Sequence, residues 1–225
     1  MIRENTTVSD AVRRYPNLSR LFERVGVDYC CGGNVPIADA CAEKGLDAAT
    51  MVTMINAQLE APAETGERLD TLSTKDLLDY IVGNHHAYLR EELPRLAELT
   101  QKVAEGHGEE DPRLSEAARV FAELASELLP HQEKEEQRTF PAILAAEAGT
   151  GPGPERQELS ELETEHERVG GLLAELNSVT DGYTPAEWAC NSTRAMLDGL
   201  ACLEADTHRH VHAENYILFP RVAAE

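Results

Sequence analysis

Two stretches of this chain repeat one pattern of histidine, glutamate, phenylalanine and proline. They read HQEKEEQRTFP, from His131 to Pro141, and HVHAENYILFP, from His210 to Pro220, with corresponding residues 79 positions apart. In both stretches a glutamate follows the histidine by four residues, which on a helix places the two side chains on one face, one turn apart. An imidazole and a carboxylate in this arrangement can bind the same metal ion.

Two further histidines, His86 and His166, extend the pattern because they lie 80 positions apart, almost the same offset. The full set holds four imidazoles and two carboxylates: His86, His131, Glu135, His166, His210 and Glu214. Buried carboxylates need a paired charge or a metal ion, since isolated burial of a charge is very costly. The repeat predicts two ions, each held by two imidazoles, with the glutamates and an oxo or hydroxo group bridging them. These ligands suit iron best, and manganese or zinc less well.

Four long amphipathic segments carry these residues, at about residues 74–104, 113–147, 155–178 and 185–218. Apolar residues recur every three or four positions along each segment, and one of the four histidines falls on each apolar face. Short connections rich in glycine, proline and acid predict an antiparallel four-helix bundle in an all-α protein. One such histidine alone would more often be a hydrogen-bonded core residue, but one on every helix in repeat register favours a metal site.

Four other histidines fall outside this set. His208 and His212 are rotated by about 200° from His210 on a helix, so we expect them at the surface. His85 is predicted to lie off the apolar face, although its position next to His86 leaves open which of the two binds. His107 falls in a loop rich in glycine and acid, where we expect it to be solvated.

Three acids could act on the same centre from outside the ligand set. Glu127 and Asp206 each stand four residues before a candidate ligand histidine, and Glu165 is adjacent to another. Such residues can accept the second ring N–H of a ligand imidazole or relay protons to a substrate. The alternative is that all three are solvated acids on charged helices.

The second chemical feature is DYCCGG, from Asp28 to Gly33. The adjacent thiols of Cys30 and Cys31 cannot easily form a disulfide with each other, so each is free to bind iron, nitric oxide or a partner thiol. The two glycines give the backbone conformational freedom and leave the thiols open to approach. The alternative is a buried cysteine beside a turn. The remaining cysteines, Cys41, Cys190 and Cys202, are predicted to be small core residues.

The N-terminal part is predicted to be a small helical domain over residues 1–60, followed by a linker over 61–73 and the bundle over 74–225. Asn17 and Asp47 are candidate helix caps, Pro36 opens a helix, and Gly45 closes it. The linker prediction rests on APAETGERLD, which interrupts the helical periodicity.

Charge and hydropathy exclude several classes of partner. The chain has 20 Lys and Arg against 41 Asp and Glu, a net charge of −21, so nucleic acid and anionic membrane surfaces would repel it. Neither a signal peptide nor a membrane-spanning run is recognisable. Five cysteines, an odd number, do not resemble a secreted disulfide framework. We therefore predict a cytoplasmic protein without nucleic-acid or membrane partners.

The combination of DYCCGGNVPIADA with HHAYLREELP, HQEKEEQRTFP, TEHERVGGLL and HVHAENYILFP resembles the iron-sulfur cluster repair di-iron proteins of the YtfE/ScdA type, also called repair of iron centres proteins. The resemblance covers nearly the whole chain and includes a hemerythrin-like domain. It implies metal ligands at the same six residues and a role for Cys30 and Cys31 in iron or nitric oxide transfer.

The resemblance implies a function in restoring iron-sulfur clusters damaged by nitrosative or oxidative stress, by donation of iron. Damaged iron-sulfur proteins would then be the clients, and nitric oxide a ligand or substrate. One alternative is an enzyme that reduces nitric oxide to nitrous oxide at the di-iron centre, with Glu127, Glu165 or Asp206 supplying protons. Another is hemerythrin-type oxygen binding or sensing. A homodimer is left open, as are the client and the electron donor.

Overall fold

The computed structural model describes residues 1–60 and 68–223. The predicted all-α class is confirmed: within these residues no strand occurs, and one bridge joins Thr7 to Pro36. The described residues form two compact units, one from Met1–Leu77 with His208–Glu225 and the other from Leu78–Thr207. We call them the N-terminal unit and the bundle unit. Across the same ranges, no helix is long and apolar enough to cross a membrane.

Four helices open the N-terminal unit: α1 Val8–Arg14, α2 Ser19–Val25, α3 Ile37–Glu43 and α4 Ala48–Glu60. Asp47 caps α4 as predicted, because its Oδ1 accepts the backbone N–H of Thr50 at 2.7 Å. The predicted cap at Asn17 is wrong. That residue lies inside a short 3₁₀ turn, Pro16–Leu18, which leads directly into α2 without a side-chain cap.

Of the predicted linker, residues 61–67 lie outside the described residues. The rest is held in place, since Leu69–Thr71 forms a 3₁₀ turn. The Arg221 guanidinium donates to the backbone oxygens of Leu69, Asp70 and Leu72 at distances between 2.9 and 3.3 Å. The end of the chain therefore fastens this segment within the N-terminal unit.

The helices expected for the bundle are present: α5 Thr74–Tyr80 and α6 Ala87–His107, α7 Pro112–Lys134 and α8 Phe140–Glu147, α9 Arg156–Val179, and α10 Asn191–Ala213 and α11 Phe219–Ala223. Asp111 caps α7 by accepting the backbone N–H of Arg113, and Pro112 occupies the first turn, where no N–H is needed. The last segment starts as a helix at Asn191, later than the predicted 185. Leucines, valines and one phenylalanine of α6, α7, α9 and α10 form the buried core of the bundle unit.

Three π-helical segments interrupt these helices, at Ile81–His86, Glu135–Thr139 and Glu214–Leu218. Each begins or ends at a residue that the sequence marked as a candidate metal ligand. In the second and third segments a phenylalanine and a proline follow at once, Phe140 with Pro141 and Phe219 with Pro220. Proline has no N–H to continue the α-helical ladder and its ring crowds the preceding turn, so a widened turn relieves both problems.

Candidate metal centre

The six candidate ligands are all buried. The exposed fractions are 0% for His86, Glu135 and Glu214, 1% for His210, 2% for His166 and 5% for His131. Two carboxylates at 0% exposure, surrounded by imidazoles, form the kind of polar cluster that a protein core tolerates only when cations or protons compensate its charge.

Distances within the cluster show that the side chains converge. The two oxygens of Glu135 face two different imidazoles, with Oε2 3.4 Å from Nε2 of His86 and Oε1 3.4 Å from Nε2 of His131. The Nε2 atoms of His131 and His166 are 3.0 Å apart, and Nε2 of His210 is 2.9 Å from Oε1 of Glu214. Ring and carboxylate atoms of ligand type therefore point toward one another.

Two sets of four residues each have one donor atom per residue within 4.8 Å of the others, a spacing that could hold a metal ion. The sets are His86, Glu135, His210 and Glu214, and His131, Glu135, His166 and Glu214. Each set contains two imidazoles, and the two glutamates occur in both. Such an arrangement offers each of two ions two nitrogen donors and carboxylate oxygens.

Outer hydrogen bonds orient two of the imidazoles. Nδ1 of His86 lies 2.8 Å from Oε1 of Glu136, and Nδ1 of His131 lies 2.7 Å from Oε2 of Glu165. Because a carboxylate only accepts hydrogen bonds, each ring carries its proton on Nδ1 and leaves the lone pair of Nε2 directed into the cluster. The hydrogen bond from His131, reinforced by Lys134, lowers the pKa of Glu165 to about 2, so this acceptor is ionised at neutral pH.

Comparison with known proteins agrees with this geometry. Residues 77–222 match the family model described as hemerythrin HHE cation binding domain, and residues 4–59 match one described as a domain of unknown function (DUF542). A Staphylococcus haemolyticus protein named iron-sulfur cluster repair protein ScdA is 31% identical over 219 residues, covering 97% of this chain and 98% of the relative. A Citrobacter koseri protein named iron-sulfur cluster repair protein YtfE is 34% identical over 209 residues, covering 93% and 92%.

This chain belongs to the ScdA/YtfE family of iron-sulfur cluster repair proteins. Its longer part also belongs to the hemerythrin HHE family. The resemblance drawn from the sequence motifs is thereby confirmed.

The acids singled out from the sequence differ in where they lie. Glu165, the least expected of the three, contacts a candidate ligand. Glu127 instead forms an ion pair with Arg168, with 2.8 Å between Oε1 and Nη2, and the acceptor bonded to Nδ1 of His131 is Glu165. Asp206 accepts a hydrogen bond from Nδ1 of His85 at 3.0 Å. It therefore holds a histidine outside the ligand set.

Glu136 is a site residue that the sequence reasoning missed. It also accepts a hydrogen bond from Nη1 of Arg90 at 2.6 Å, and although burial acts to raise its pKa, the bonds from Arg90 and His86 lower it below the usual value. The repeat does not mark this residue, because the residue 79 positions later is Asn215. The available signal was a second glutamate directly after Glu135, a candidate ligand.

The expectation that His212 lies at the surface is wrong, and His85, expected off the apolar face, is buried as well. His212 is 5% exposed and donates from Nδ1 to the backbone oxygen of Tyr29 at 3.0 Å, and burial lowers the pKa of its ring to about 4. His85 is 4% exposed, bonded to Asp206 and packed against Tyr80. Neither His85 nor His212 belongs to the two donor sets of four residues. Rotation around a helix indicates which face of that helix a residue lies on, but not which neighbouring elements cover it.

The DYCCGG loop is organised by Asp28. Its carboxylate accepts the backbone N–H groups of Cys30, Cys31 and Gly32 at distances between 2.7 and 3.0 Å. Burial acts against ionisation, but these three bonds outweigh it and lower the pKa of Asp28. The backbone oxygens of the two cysteines accept hydrogen bonds from Asn215 and Tyr216 at 3.1 Å, so the loop is fixed to the end of the chain within the N-terminal unit.

The two thiols of this loop are not equivalent. Their sulfur atoms are 3.6 Å apart, within hydrogen-bonding distance but not joined by a disulfide, and Cys30 is buried whereas Cys31 is partly exposed. The hydrogen bond with Cys31, together with burial, raises the pKa of Cys30 well above the usual thiol value. Cys31 is therefore the sulfur that an external partner can reach first.

The glycines of this loop are needed for close packing rather than for unusual dihedral angles. A Cβ added to Gly33 would lie 2.5 Å from the backbone oxygen of Tyr29, and one at Gly32 would lie 2.9 Å from Oδ2 of Asp28.

Among the other cysteines, Cys41 is buried as expected, but Cys202 is exposed and Cys190 is partly exposed just before α10. The prediction that these two are core residues is wrong.

Proposed function

We propose that this protein holds two iron ions in the buried cluster and donates iron to iron-sulfur proteins whose clusters have been damaged by nitrosative or oxidative stress. The ligands are His86, His131, Glu135, His166, His210 and Glu214, with Glu135 and Glu214 spanning the two ions. The observation that carries the proposal is the pair of four-residue donor sets that share both glutamates.

The donor chemistry fits iron. Four neutral imidazoles and two carboxylates supply a charge of about −2 to two divalent ions, and such sites leave coordination positions open to small molecules. Nδ1 protonation of His86 and His131 prepares their Nε2 atoms as ligands before any ion arrives. When bound, the iron pair would supply redox chemistry and a binding site for nitric oxide; the protein's own residues supply orientation and a dry surrounding.

The names of the relatives support a repair function, and the DYCCGG loop supports a transfer step. Cys31 is partly exposed, its backbone N–H donates to the carboxylate of Asp28, and its backbone oxygen accepts from the hydroxyl of Tyr216. It can therefore receive or pass iron without unfolding of the loop. All five cysteines are free thiols, which supports work in a reducing compartment such as the cytoplasm.

The decisive experiment is anaerobic purification followed by measurement of iron per chain and Mössbauer spectra of iron-57-labelled protein. Two coupled irons per chain support the centre, and the ferrous protein should then reactivate a damaged iron-sulfur enzyme. Zinc, or one uncoupled ion, would contradict it. Serine at both Cys30 and Cys31 should impair reactivation and leave the iron content unchanged.

Reduction of nitric oxide is the second candidate, favoured by Glu165. This carboxylate is about one third exposed, contacts Lys134 and is hydrogen-bonded to the ring of His131, so it connects solvent to a candidate ligand. Release of more than one nitrous oxide per site from reduced protein would support catalysis, whereas a single stoichiometric release would favour the repair function alone.

A further inference from the structure

The bundle unit has a surface pocket of about 380 Å³ that is lined in part by Arg90 of α6 and by Gln132, Glu133 and Glu136 of α7 and the π-helical segment after it. Its lining contains two carboxylates and one guanidinium, so its own charge is negative. Two of these residues are adjacent in sequence to candidate ligands, Gln132 to His131 and Glu136 to Glu135. The pocket therefore borders the part of α7 and the following π-helical segment that holds His131 and Glu135.

The buried side-chain amide of Gln132 distinguishes this pocket from a chance depression of the surface. The residue is 3% exposed, and its Nε2 has no hydrogen-bond partner among the residues that the structure describes. A buried amide without a partner is costly, so such groups are normally satisfied by water or a ligand. The two ends of an amide have the same shape, and a half-turn of the side chain exchanges donor for acceptor. Gln132 can therefore present an oxygen to a bound cation.

Glu136 connects the pocket to the centre. Its Oε1 accepts hydrogen bonds from Nδ1 of His86 at 2.8 Å and from Nη1 of Arg90 at 2.6 Å. Arg90 is 49% exposed at its side chain, so it can move into solvent, whereas the imidazole of His86 is fully buried. When Arg90 moves away, the carboxylates of Glu133 and Glu136 lose the neighbouring positive charge.

A route of this kind is needed because no candidate ligand is more than 5% exposed. An iron ion that is to be donated must pass through a wall of the bundle. A hydrated divalent cation loses water only where oxygen donors replace it, and the pocket offers carboxylate and amide oxygens next to the buried cluster.

We propose that this pocket is the port through which ferrous iron, as cargo, enters and leaves the centre, with Arg90 as the gate and Gln132, Glu133 and Glu136 as transient oxygen ligands. The inference rests on the proposed function. Movement of Arg90 opens the carboxylates to the ion, and Glu136, whose carboxylate contacts the His86 ring, is the pocket residue that adjoins the centre.

The test measures iron release from anaerobically loaded, desalted protein to an excess of a coloured ferrous chelator. Arg90→Gln should release iron at least fivefold faster than the wild type, because the gate loses its charge. Gln132→Met, of similar size but without the amide, should release it at least fivefold more slowly. The matched control is Arg168→Gln, which removes another exposed arginine paired with a glutamate, and its rate should stay within twofold of the wild type.

The outcomes separate this inference from the proposal on which it rests. If both pocket variants carry two irons per chain and release them within twofold of the wild type, the proposed route through the pocket is wrong, whereas the two-iron centre is supported. If the wild type does not bind two irons, both fail. About half of the Arg90 side chain is exposed, so its variant keeps the test decisive even if Gln132→Met folds poorly, which circular dichroism would reveal.

Discussion

Oε2 of Glu165 in α9 lies 2.7 Å from Nδ1 of His131 in α7. The contact fixes the ring proton on Nδ1 and directs Nε2 toward Glu135, 3.4 Å away. An imidazole held by a carboxylate is also a more basic ligand than a free one. Glu165 would therefore act on a bound metal ion through His131 and not by direct contact.

Removal of this charge should weaken iron binding. In Glu165→Gln the amide can still accept a hydrogen bond, but it no longer makes the ring more basic, so we expect iron affinity to fall by about tenfold. Competition with a ferrous chelator measures the affinity. Glu161→Gln is the matched control, because Glu161 lies on the same helix, is exposed, accepts a hydrogen bond from Nε2 of Gln157 at 3.0 Å and lies 3.9 Å from Nζ of Lys134. Equal affinities in the two variants would mean that Glu165 does not tune the centre.

Glu127→Gln should have little effect on either iron binding or stability. Glu127 pairs with Arg168 at the surface, and exposed ion pairs contribute about 0–1 kcal/mol. We expect two irons per chain, an unchanged rate of nitrous oxide formation if the wild type shows one, and a change below about 1 kcal/mol in the free energy of unfolding measured with urea. A loss of iron would restore the role that the sequence pattern suggested.

The loop that holds the two cysteines should be sensitive to one added methyl group. In Gly33→Ala the new Cβ would lie 2.5 Å from the backbone oxygen of Tyr29, so the backbone must shift, and we expect a loss of about 1–3 kcal/mol in the free energy of unfolding. Alkylation of Cys31 should become faster as the loop loosens.

Gly171→Ala provides the control for that change. Gly171 lies within α9, and beyond the nearby backbone of that helix no atom of the described residues lies within 4 Å of the position that its Cβ would take. Alanine is favoured over glycine inside a helix by about 1 kcal/mol, so this variant should be neutral or stabilised. Equal effects of the two substitutions would contradict the close packing at Gly33.

The helical repeat was sufficient to predict the all-α bundle and to mark six polar residues that are all buried, because both depend on periodicity along single helices. The π-helical segments were not predicted. Two of the described segments, Glu135–Thr139 and Glu214–Leu218, arise where the helix must accommodate Pro141 and Pro220. A pattern that assumes 3.6 residues per turn does not reveal such a widened turn. The Phe-Pro pairs that end the repeat were the available signal.

Contacts between elements were the other part that periodicity could not supply. Spacing along one helix suggested Glu127 and Asp206 as acceptors for His131 and His210, the histidines four residues later. In the structure His131 is bonded to Glu165, and His86 is bonded to Glu136. For His86 and His131 the acceptor comes from a different helix, so it depends on how the helices pack, which a single sequence does not specify. The burial of His212 against Tyr29 has the same origin.

Cys190 should be an acidic thiol that a surface reagent can reach. Its sulfur lies 3.4 Å from the hydroxyl of Thr193 and 3.5 Å from Nε2 of His107. Hydrogen bonds from the side chain and backbone of Thr193, followed by the bond from His107 and the backbone of Ser192, lower the pKa of Cys190 to about 6. A position just before the first turn of α10 favours the thiolate as well.

The sign of this shift gives a pH profile. A thiol with its pKa lowered to about 6 is half ionised there, and at pH 7 about 90% is thiolate, whereas an ordinary thiol is almost entirely protonated. The alkylation rate of Cys190 by iodoacetamide, followed by mass spectrometry of its peptide, should therefore rise to half its maximum near pH 6 and level off above pH 7. Thr193→Val should move the midpoint upward by about one pH unit, because the thiolate loses a hydrogen bond.

Thr150→Val is the matched control, since Thr150 is exposed and its hydroxyl bonds only to the backbone oxygen of Ala145. Its profile should match that of the wild type. A Cys190 midpoint near pH 9 in the wild type would show that the contacts with Thr193 and His107 do not stabilise the thiolate. A lowered midpoint that Thr193→Val leaves unchanged would instead assign the effect to His107 and the helix terminus, which His107→Gln would then test.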